Sequence, residues 1–305
     1  MSFDLVVDEE NIGNRIDNFV ASKCEKISRS QAQRLIKEGK ILIDGKEAKA
    51  SNKLSLNQII TIPDNTEADI PQNLMAEDLP IEIIYEDDDF IVVNKPKDMV
   101  VHPASGNATG TLVNAVLGKY ELSNINGEFR PGIVHRLDKN TTGALVVAKN
   151  NYAHQNIAEQ IKNRTTKKIY IALVRGVIKE DNGVINMPIG RHATDRKKMA
   201  IVKSGRSALT NFKVIKRYKE GYTLVEIELK TGRTHQIRVH MSQIGFPVVG
   251  DDVYSSGKNP FGVTSQMLHA HILGFEHPTK QKWMEFIAPI PQYFEDIINK
   301  LTVIE

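Results

Sequence analysis

Apolar and polar positions along this chain change period often, in blocks of five to fifteen residues. In residues 222–230, YTLVEIELK, apolar and polar positions alternate from Val225 on, with Val225, Ile227 and Leu229 on one face and Glu226 and Glu228 on the other. That period of two is the mark of a half-buried strand. The preceding TNFKVIKRY, residues 210–218, supplies its hairpin partner. ALVVAKN (144–150) and KKIYIALVRG (167–176) are nearly continuous in apolar residues and predict buried strands. IEIIYEDDDFIVVNK (81–95) predicts two strands around an acidic turn, and MLHAHILGFEHP with KWMEFIAP a last pair. Helical spacing occurs in TLVNAVLGKY (111–120), in NYAHQNIAEQIKNR from Asn151, from Thr234 to Gly245, and in the amphipathic PQYFEDIINKL (291–301). Neighbouring strands joined by short turns predict an α+β fold with a mixed, largely antiparallel sheet, not a doubly wound one.

The first sixty residues are punctuated separately. Ser28 and Gln31 form a capping box that opens a helix through Ala32, Leu35 and Ile36, and Gly39 ends it as a left-handed cap. Asp44-Gly45 suits a two-residue hairpin turn, and NQIITI (57–62) closes the module. Arg29, Gln33 and Lys37 stack in one exposed ridge at four-residue spacing, with Arg34 on the neighbouring one. The segment PDNTEADIPQNLMAEDLP is acidic, proline-bearing and without period, so it predicts a linker. The expected division is 15–62, a small domain; 63–80, the linker; and 81–305, the large domain.

Composition narrows the class. With 41% hydrophobic and 25% charged residues in 305, the chain has a globular balance and material for a sizeable core. One cysteine, Cys24, excludes a disulfide framework and multi-cysteine metal sites. The start MSFDLVVDEE has neither the basic nor the apolar region of a secretory signal, and no apolar run could span a bilayer. A reduced, cytoplasmic protein without a membrane partner is the expectation. The net charge of +3 conceals a segregation. Residues 15–53 carry ten Lys/Arg against five Asp/Glu, residues 61–90 ten Asp/Glu and no base, and residues 162–206 twelve Lys/Arg against three acids. Basic blocks of this kind are footprints for phosphate, although each could also be a solvated face.

The chain lacks the dinucleotide, Walker, zincin and nucleophile-elbow motifs. Two strand-end loops stand out instead, PGIVHRLDKNTTG (131–143) and LKTGRTHQIRVH (229–240). Burial would raise the pKa of Asp138 unless a cation is near, and Arg233 is the expected partner that keeps it ionised as nucleophile or base. The same pair would serve equally as a plain Arg–Asp clamp. Among nine histidines, His235 and His240 share a helix, and His269 and His271 a strand; without a carboxylate-rich partner sequence they are expected as core or hydrogen-bonding groups, not a metal site. Tyr170 is a core ring or, on an RNA enzyme, a platform for an extruded base.

At HRLDKNTTG the chain resembles the RluA/RluD family of pseudouridine synthases, whose signature is met by His135, Arg136, Leu137, Asp138, Thr141, Thr142 and Gly143. NKPKDMVVHP matches a second family stretch, with Asp98 where glycine is common; Lys168, Tyr170, Ala172, Leu173, Val174 and Gly176 match a third; TGRTHQIRVH is complete. Residues 15–62 resemble the small RNA-binding domain first seen in a ribosomal small-subunit protein, through Arg15, Asp17, Ser28, Arg29, Gln33, Gly39 and Gly45. The resemblance implies isomerisation of uridine to pseudouridine in RNA, most similar to enzymes of large-subunit ribosomal RNA, with no cofactor and no metal. It implies Asp138 as the catalytic aspartate, acting on the anomeric carbon, on carbon six of the base, or as a base at the 2′ position. Arg233 would orient it, and Tyr170 would stack on uracil and assist proton removal. Arg136, His135 and Thr141 would hold the flipped nucleotide. Arg29, Arg34, Lys37, Arg191, Arg196, Lys197 and Lys198 would hold RNA backbone. A monomer is expected. The competing readings are a non-catalytic RNA-binding or ribosome-assembly factor on the same fold and a metal-dependent RNA hydrolase.

Overall fold

A computed structural model of the chain describes residues 2–24, 27, 29–63, 74–103, 107–126, 130–195, 198–255, 261–263 and 265–304, with the side chains of residues 29–31 and 34 outside the description. The capping box expected at Ser28 and Gln31 therefore lies outside the described residues. Two compact units result, Met1–Asn73 and Leu74–Glu305.

The first unit contains β1 (Ser2–Val6), α1 (Ile16–Lys23), α2 (Arg29–Lys37), β2 (Leu42–Ile43), β3 (Lys46–Glu47) and β4 (Ile59–Pro63). Its antiparallel sheet runs β1-β4-β2-β3. Asp44 and Gly45 both take positive φ, 49° and 75°, the turn a two-residue hairpin requires. Gly39, at φ 69°, ends α2 as expected. The fully buried Asp17 accepts two bonds from Arg15, at 2.9 Å each, and one from Gln33 of α2 at 2.5 Å. Gln33 thus ties the two helices together, and does not simply continue the exposed ridge of Arg29 and Lys37.

The second unit contains β5 (Glu82–Glu86), β6 (Phe90–Lys95), α3 (Leu112–Leu117), β7 (Thr142–Ala148), α4 (Asn151–Asn163), β8 (Lys167–Arg175), β9 (Asn182–Asn186), β10 (Ile189–Arg191), β11 (Met199–Ile201), β12 (Leu209–Tyr218), β13 (Tyr222–Leu229), α5 (Gln236–Gln243), β14 (Leu268–Glu276), β15 (Trp283–Ile287) and α6 (Gln292–Ile298). One sheet runs β5-β6-β7-β14-β8-β13-β12-β9, with β15 beside β14; β10 and β11 make a separate ribbon. Only β7 and β14 pair in parallel, so the fold is α+β with a largely antiparallel sheet. Both faces of β8 are buried. Tyr170, Ala172 and Val174 join Val225 and Ile227 of β13, with Val113 of α3 and Ile237 of α5, in one cluster; Ile171 and Leu173 join Phe294 and Ile297 of α6 on the other face. A third cluster packs Ile157 of α4 on Phe90, Val146 and Phe275. Residues 74–80 also pack here: Leu74 and Leu79 meet the first cluster, and the Glu77 carboxylate accepts the Gly110 N–H at 3.0 Å.

Candidate active site

β7 is buried along its whole length, and the loop that precedes it carries Asp138. Several contacts hold that loop. The His135 Nε2 accepts the Val146 N–H at 3.1 Å, supplying an acceptor to a backbone donor of β7. Burial pushes the His135 pKa down to about 3, with Lys168 adding to the effect, so the ring is neutral and structural. Thr141 is buried and accepts from the Gln266 Nε2 at 3.0 Å. Its N–H closes a turn onto the Asp138 carbonyl at 3.1 Å. Lys95, at the end of β6, is fully buried, and its ammonium donates to the carbonyls of Pro96, Met99 and Lys139 at 2.7, 2.8 and 3.0 Å. Burial lowers its pKa to about 7 against the pull of Asp138 and Asp98. Three converging carbonyls match the three protons of an ammonium, so the geometry favours the charged form. Asp98 takes φ 62° in this loop, a conformation natural to the glycine it replaces.

The expected partner of Asp138 is corrected by the structure. Arg238, in the first turn of α5, donates to the Asp138 Oδ2 at 3.1 Å and clamps the buried Asp251 with two bonds of 2.6 and 3.0 Å. Arg233 instead donates its Nε to the Ser207 carbonyl at 3.1 Å. The reason lies in how α5 begins. His235 adopts φ 56°, a left-handed residue that turns the chain before the helix. That turn aims the first helical turn, rather than the preceding loop, at Asp138. Arg238 is shared by two carboxylates, which raises its pKa against the cost of burial and makes it a permanent cation. His235 also reaches the site, its Nε2 3.9 Å from the Asp138 Oδ2 and its Nδ1 2.8 Å from the Tyr254 hydroxyl. That hydroxyl accepts the Met199 N–H of β11 at 2.8 Å, and the Arg238 guanidinium lies over the Tyr254 ring at 5.1 Å.

Asp138, His235 and Arg238 line a pocket of 230 Å³ beside β8. Asp138, Tyr170, Arg233, Arg136, His135 and Thr141, all singled out from the sequence, meet in it. Tyr170 is 8% exposed; burial, with Asp138 nearby, pushes its hydroxyl pKa well up, so the ring is neutral. Arg136 is exposed. Sequence reasoning missed Arg238, Asp251, Lys95, Lys168 and Tyr254, and gave His235 no part in the site. No local signal separated Arg238 from Arg233 in this stretch. The remaining expected RNA contacts are not among the described residues that line the pocket. Lys37 is exposed at the end of α2; Arg29 and Arg34 lie on α2 with their side chains outside the described residues. Arg191 is exposed at the end of β10, Lys198 is half-buried before β11, and Arg196 and Lys197 lie outside the described residues.

The histidines considered for metal are hydrogen-bonded otherwise. His240 meets the Thr210 hydroxyl and the Met187 carbonyl at 2.8 and 2.9 Å; His269 meets the Thr142 hydroxyl and the Ala288 carbonyl at 2.8 and 3.2 Å. Among the described residues the one grouping with metal-like spacing is Asp87, Asp89 and His277, away from the pocket. There His277 Nδ1 accepts two backbone N–H groups at 3.2 Å and Nε2 lies 2.6 Å from Asp87, so both ring nitrogens are committed. No helix among the described residues is long and apolar enough to cross a membrane.

Comparison with known proteins agrees with this geometry. The RNA pseudouridylate synthase family matches residues 89–243, and the S4 domain matches residues 14–60. An RNA pseudouridine synthase of Bacillus subtilis is 44% identical over 98% of this chain and 97% of its own. The ribosomal large subunit pseudouridine synthase D of Pseudomonas aeruginosa is 40% identical over 95% and 92%. The solved structure of human RNA pseudouridylate synthase domain containing 1 superposes with a TM-score of 0.59 at 29% identity, over 75% of this chain and 91% of that one. The matched segment spans the Asp138 loop, β8 and α5, the elements that build the pocket, and the chain belongs to the RNA pseudouridylate synthase family.

Proposed function

We propose that the chain converts uridine to pseudouridine in large-subunit ribosomal RNA, with Asp138 as the catalytic group. The observation that carries the reading is the Asp138 carboxylate in a pocket bordered by a neutral aromatic ring and held from behind by Arg238. The reaction breaks the bond between N1 of uracil and the anomeric carbon. It then joins C5 to that carbon, with the C5 proton lost and N1 protonated, so nothing is oxidised and no external group is transferred. Asp138 acts where the base and sugar separate. Tyr170 presents a neutral ring for the uracil to stack on, and Arg136, exposed at the pocket edge, supports the extruded nucleotide. Extrusion costs about a few kcal/mol and least in a loop, which favours an unpaired target. The ribosomal substrate is supported by the relatives named for the large subunit and by the S4 domain. Basic groups of α2 (Arg29, Arg34 and Lys37) and of the sequence from Arg191 to Lys198 (Arg191, Arg196, Lys197 and Lys198) hold phosphates. The proposed enzyme acts as a monomer, in the cytoplasm where the RNA is made.

Carbodiimide mapping of ribosomal RNA tests the reading. A strain lacking the gene should lose at least one large-subunit stop, which the intact gene restores and Asp138→Asn does not. Persistence of every stop in the deletion strain would overturn it. Turnover of the purified protein should also survive excess EDTA, whereas a metal-dependent hydrolase would stop.

A further inference from the structure

Arg233, displaced from its expected partner, leads to a second feature of the pocket wall. Lys168 lies two residues before Tyr170 on β8, so both side chains leave the same face of the strand, about 7 Å apart along it. Both line the pocket, as does Arg233. Arg164 ends α4 just before β8. It holds the left-handed cap position at φ 62°, where glycine or asparagine is ordinarily found. A charged side chain is thus kept at a strained position next to the strand that carries Lys168. Burial lowers the pKa of Lys168, and Arg164 and Arg233 lower it further, with no carboxylate acting in the opposite sense. Among the described residues no ion pair engages any of the three. The Ser207 carbonyl holds the Arg233 guanidinium by its Nε alone. Lys168 and Arg233 share the pocket wall, Arg164 stands exposed at the end of α4 just before β8, and no carboxylate neutralises any of the three among the described residues.

From this arrangement we infer that Arg164, Lys168 and Arg233 form one subsite for an RNA phosphodiester, the one next to the uridine whose base meets Tyr170. The inference rests on the reading of Asp138 and Tyr170 as the uridine site. It gives the pocket two anchors within the reach of one nucleotide, a ring for the base and a cation cluster for its backbone. Phosphate contacts of this kind fix register, and the register here decides which atoms face Asp138.

The test uses the full chain and unmodified, transcribed large-subunit ribosomal RNA. Arg164→Gln, Lys168→Met and Arg233→Gln should each raise KM about tenfold, as loss of a charge-assisted hydrogen bond does, while kcat at saturating RNA stays within about threefold. Because one phosphate is shared, the triple variant should lower the slope of log KM against log salt by about 0.7 to 1. Unchanged KM and slope would overturn the subsite, and a slope reduced by about 3 would show three separate phosphates instead. If Lys168→Met does not fold, the Arg164→Gln/Arg233→Gln pair carries the same comparison. If the wild-type protein forms no pseudouridine on this RNA, the functional reading fails on its own, and the same slopes from filter binding decide the subsite.

Discussion

At the scale of single residues, the site depends on one guanidinium serving two carboxylates. Asp251 is 3% exposed, and its two oxygens are engaged by Arg238, with further backbone N–H groups of Val253 and Tyr254 on Oδ1. Removing Arg238 strands a buried charge, a change that costs about 3–5 kcal/mol. Arg238→Met should therefore destabilise the protein by that amount in urea unfolding, whereas Arg233→Gln should cost less than about 1 kcal/mol. Equal losses in the two variants would contradict the corrected pairing. His269 gives a second test. Its burial, at 0% exposure, pushes its pKa down to about 4. The unfolded chain takes up the proton near pH 6.5, and the folded protein resists it until about 4. Folding stability from this group is thus complete above pH 6.5 and lost as the pH falls toward 4. The slope is about 1.4 kcal/mol per pH unit, so about 2 kcal/mol is lost between pH 7 and 5. His269→Gln, compared with itself at the two pH values, should lose less stability than the wild type by that margin. An identical drop in both would mean that His269 titrates normally.

Elements show why some of this was legible and some was not. The alternation of Val225, Ile227 and Leu229 predicted β13 and its buried face, because a period of two reports the face whatever the neighbour is. α4 was placed from its period; its start is fixed by a cap that was not foreseen, the Asn150 side chain accepting the Ala153 N–H at 2.8 Å. β1, α1 and the β9–β11 segments were not foreseen. α1 offers only three apolar residues, Ile16, Phe19 and Val20, beside the charged Asp17 on its buried face, and its start has no side-chain cap to mark it. Arg233 and Arg238 were indistinguishable locally; the left-handed His235 and the packing of α5 decide which one faces Asp138. A strand glycine records a similar tertiary constraint. At Gly143, φ is 113° and an added Cβ would lie 2.2 Å from the Ala270 carbonyl oxygen of the parallel β14. Gly143→Ala should cost at least about 2–3 kcal/mol, since both the conformation and the space are wrong. Gly221→Ala, in the β12–β13 turn at φ 84° with open space around it, should cost only about 1 kcal/mol. Thermal unfolding of the pair separates the two costs, and equal shifts would remove the role assigned to the β7–β14 approach.

For the whole molecule, the segregation of charge acquires a division of labour. The second unit holds every residue of the pocket and, among the described residues, four hydrophobic clusters of its own, from which the first unit is absent. The first unit holds its own core and the excess of five positive charges over residues 15–53. A chain of residues 74–305 should therefore unfold as one cooperative transition and keep the Asp138 pocket intact. What it should lose is the set of phosphate contacts proposed for the first unit, and phosphate contacts act on binding rather than on the reacting atoms. The truncated protein should show a raised KM for long ribosomal RNA and a salt slope lowered by several phosphates, while kcat at saturating RNA stays near that of the full chain. Filter binding and single-turnover kinetics at two salt concentrations measure the two effects separately. If the truncation left the affinity for long RNA unchanged, the first unit would not be an RNA anchor. If it lowered kcat at saturation instead, the first unit would be part of the catalytic arrangement, a result the separate cores of the two units argue against.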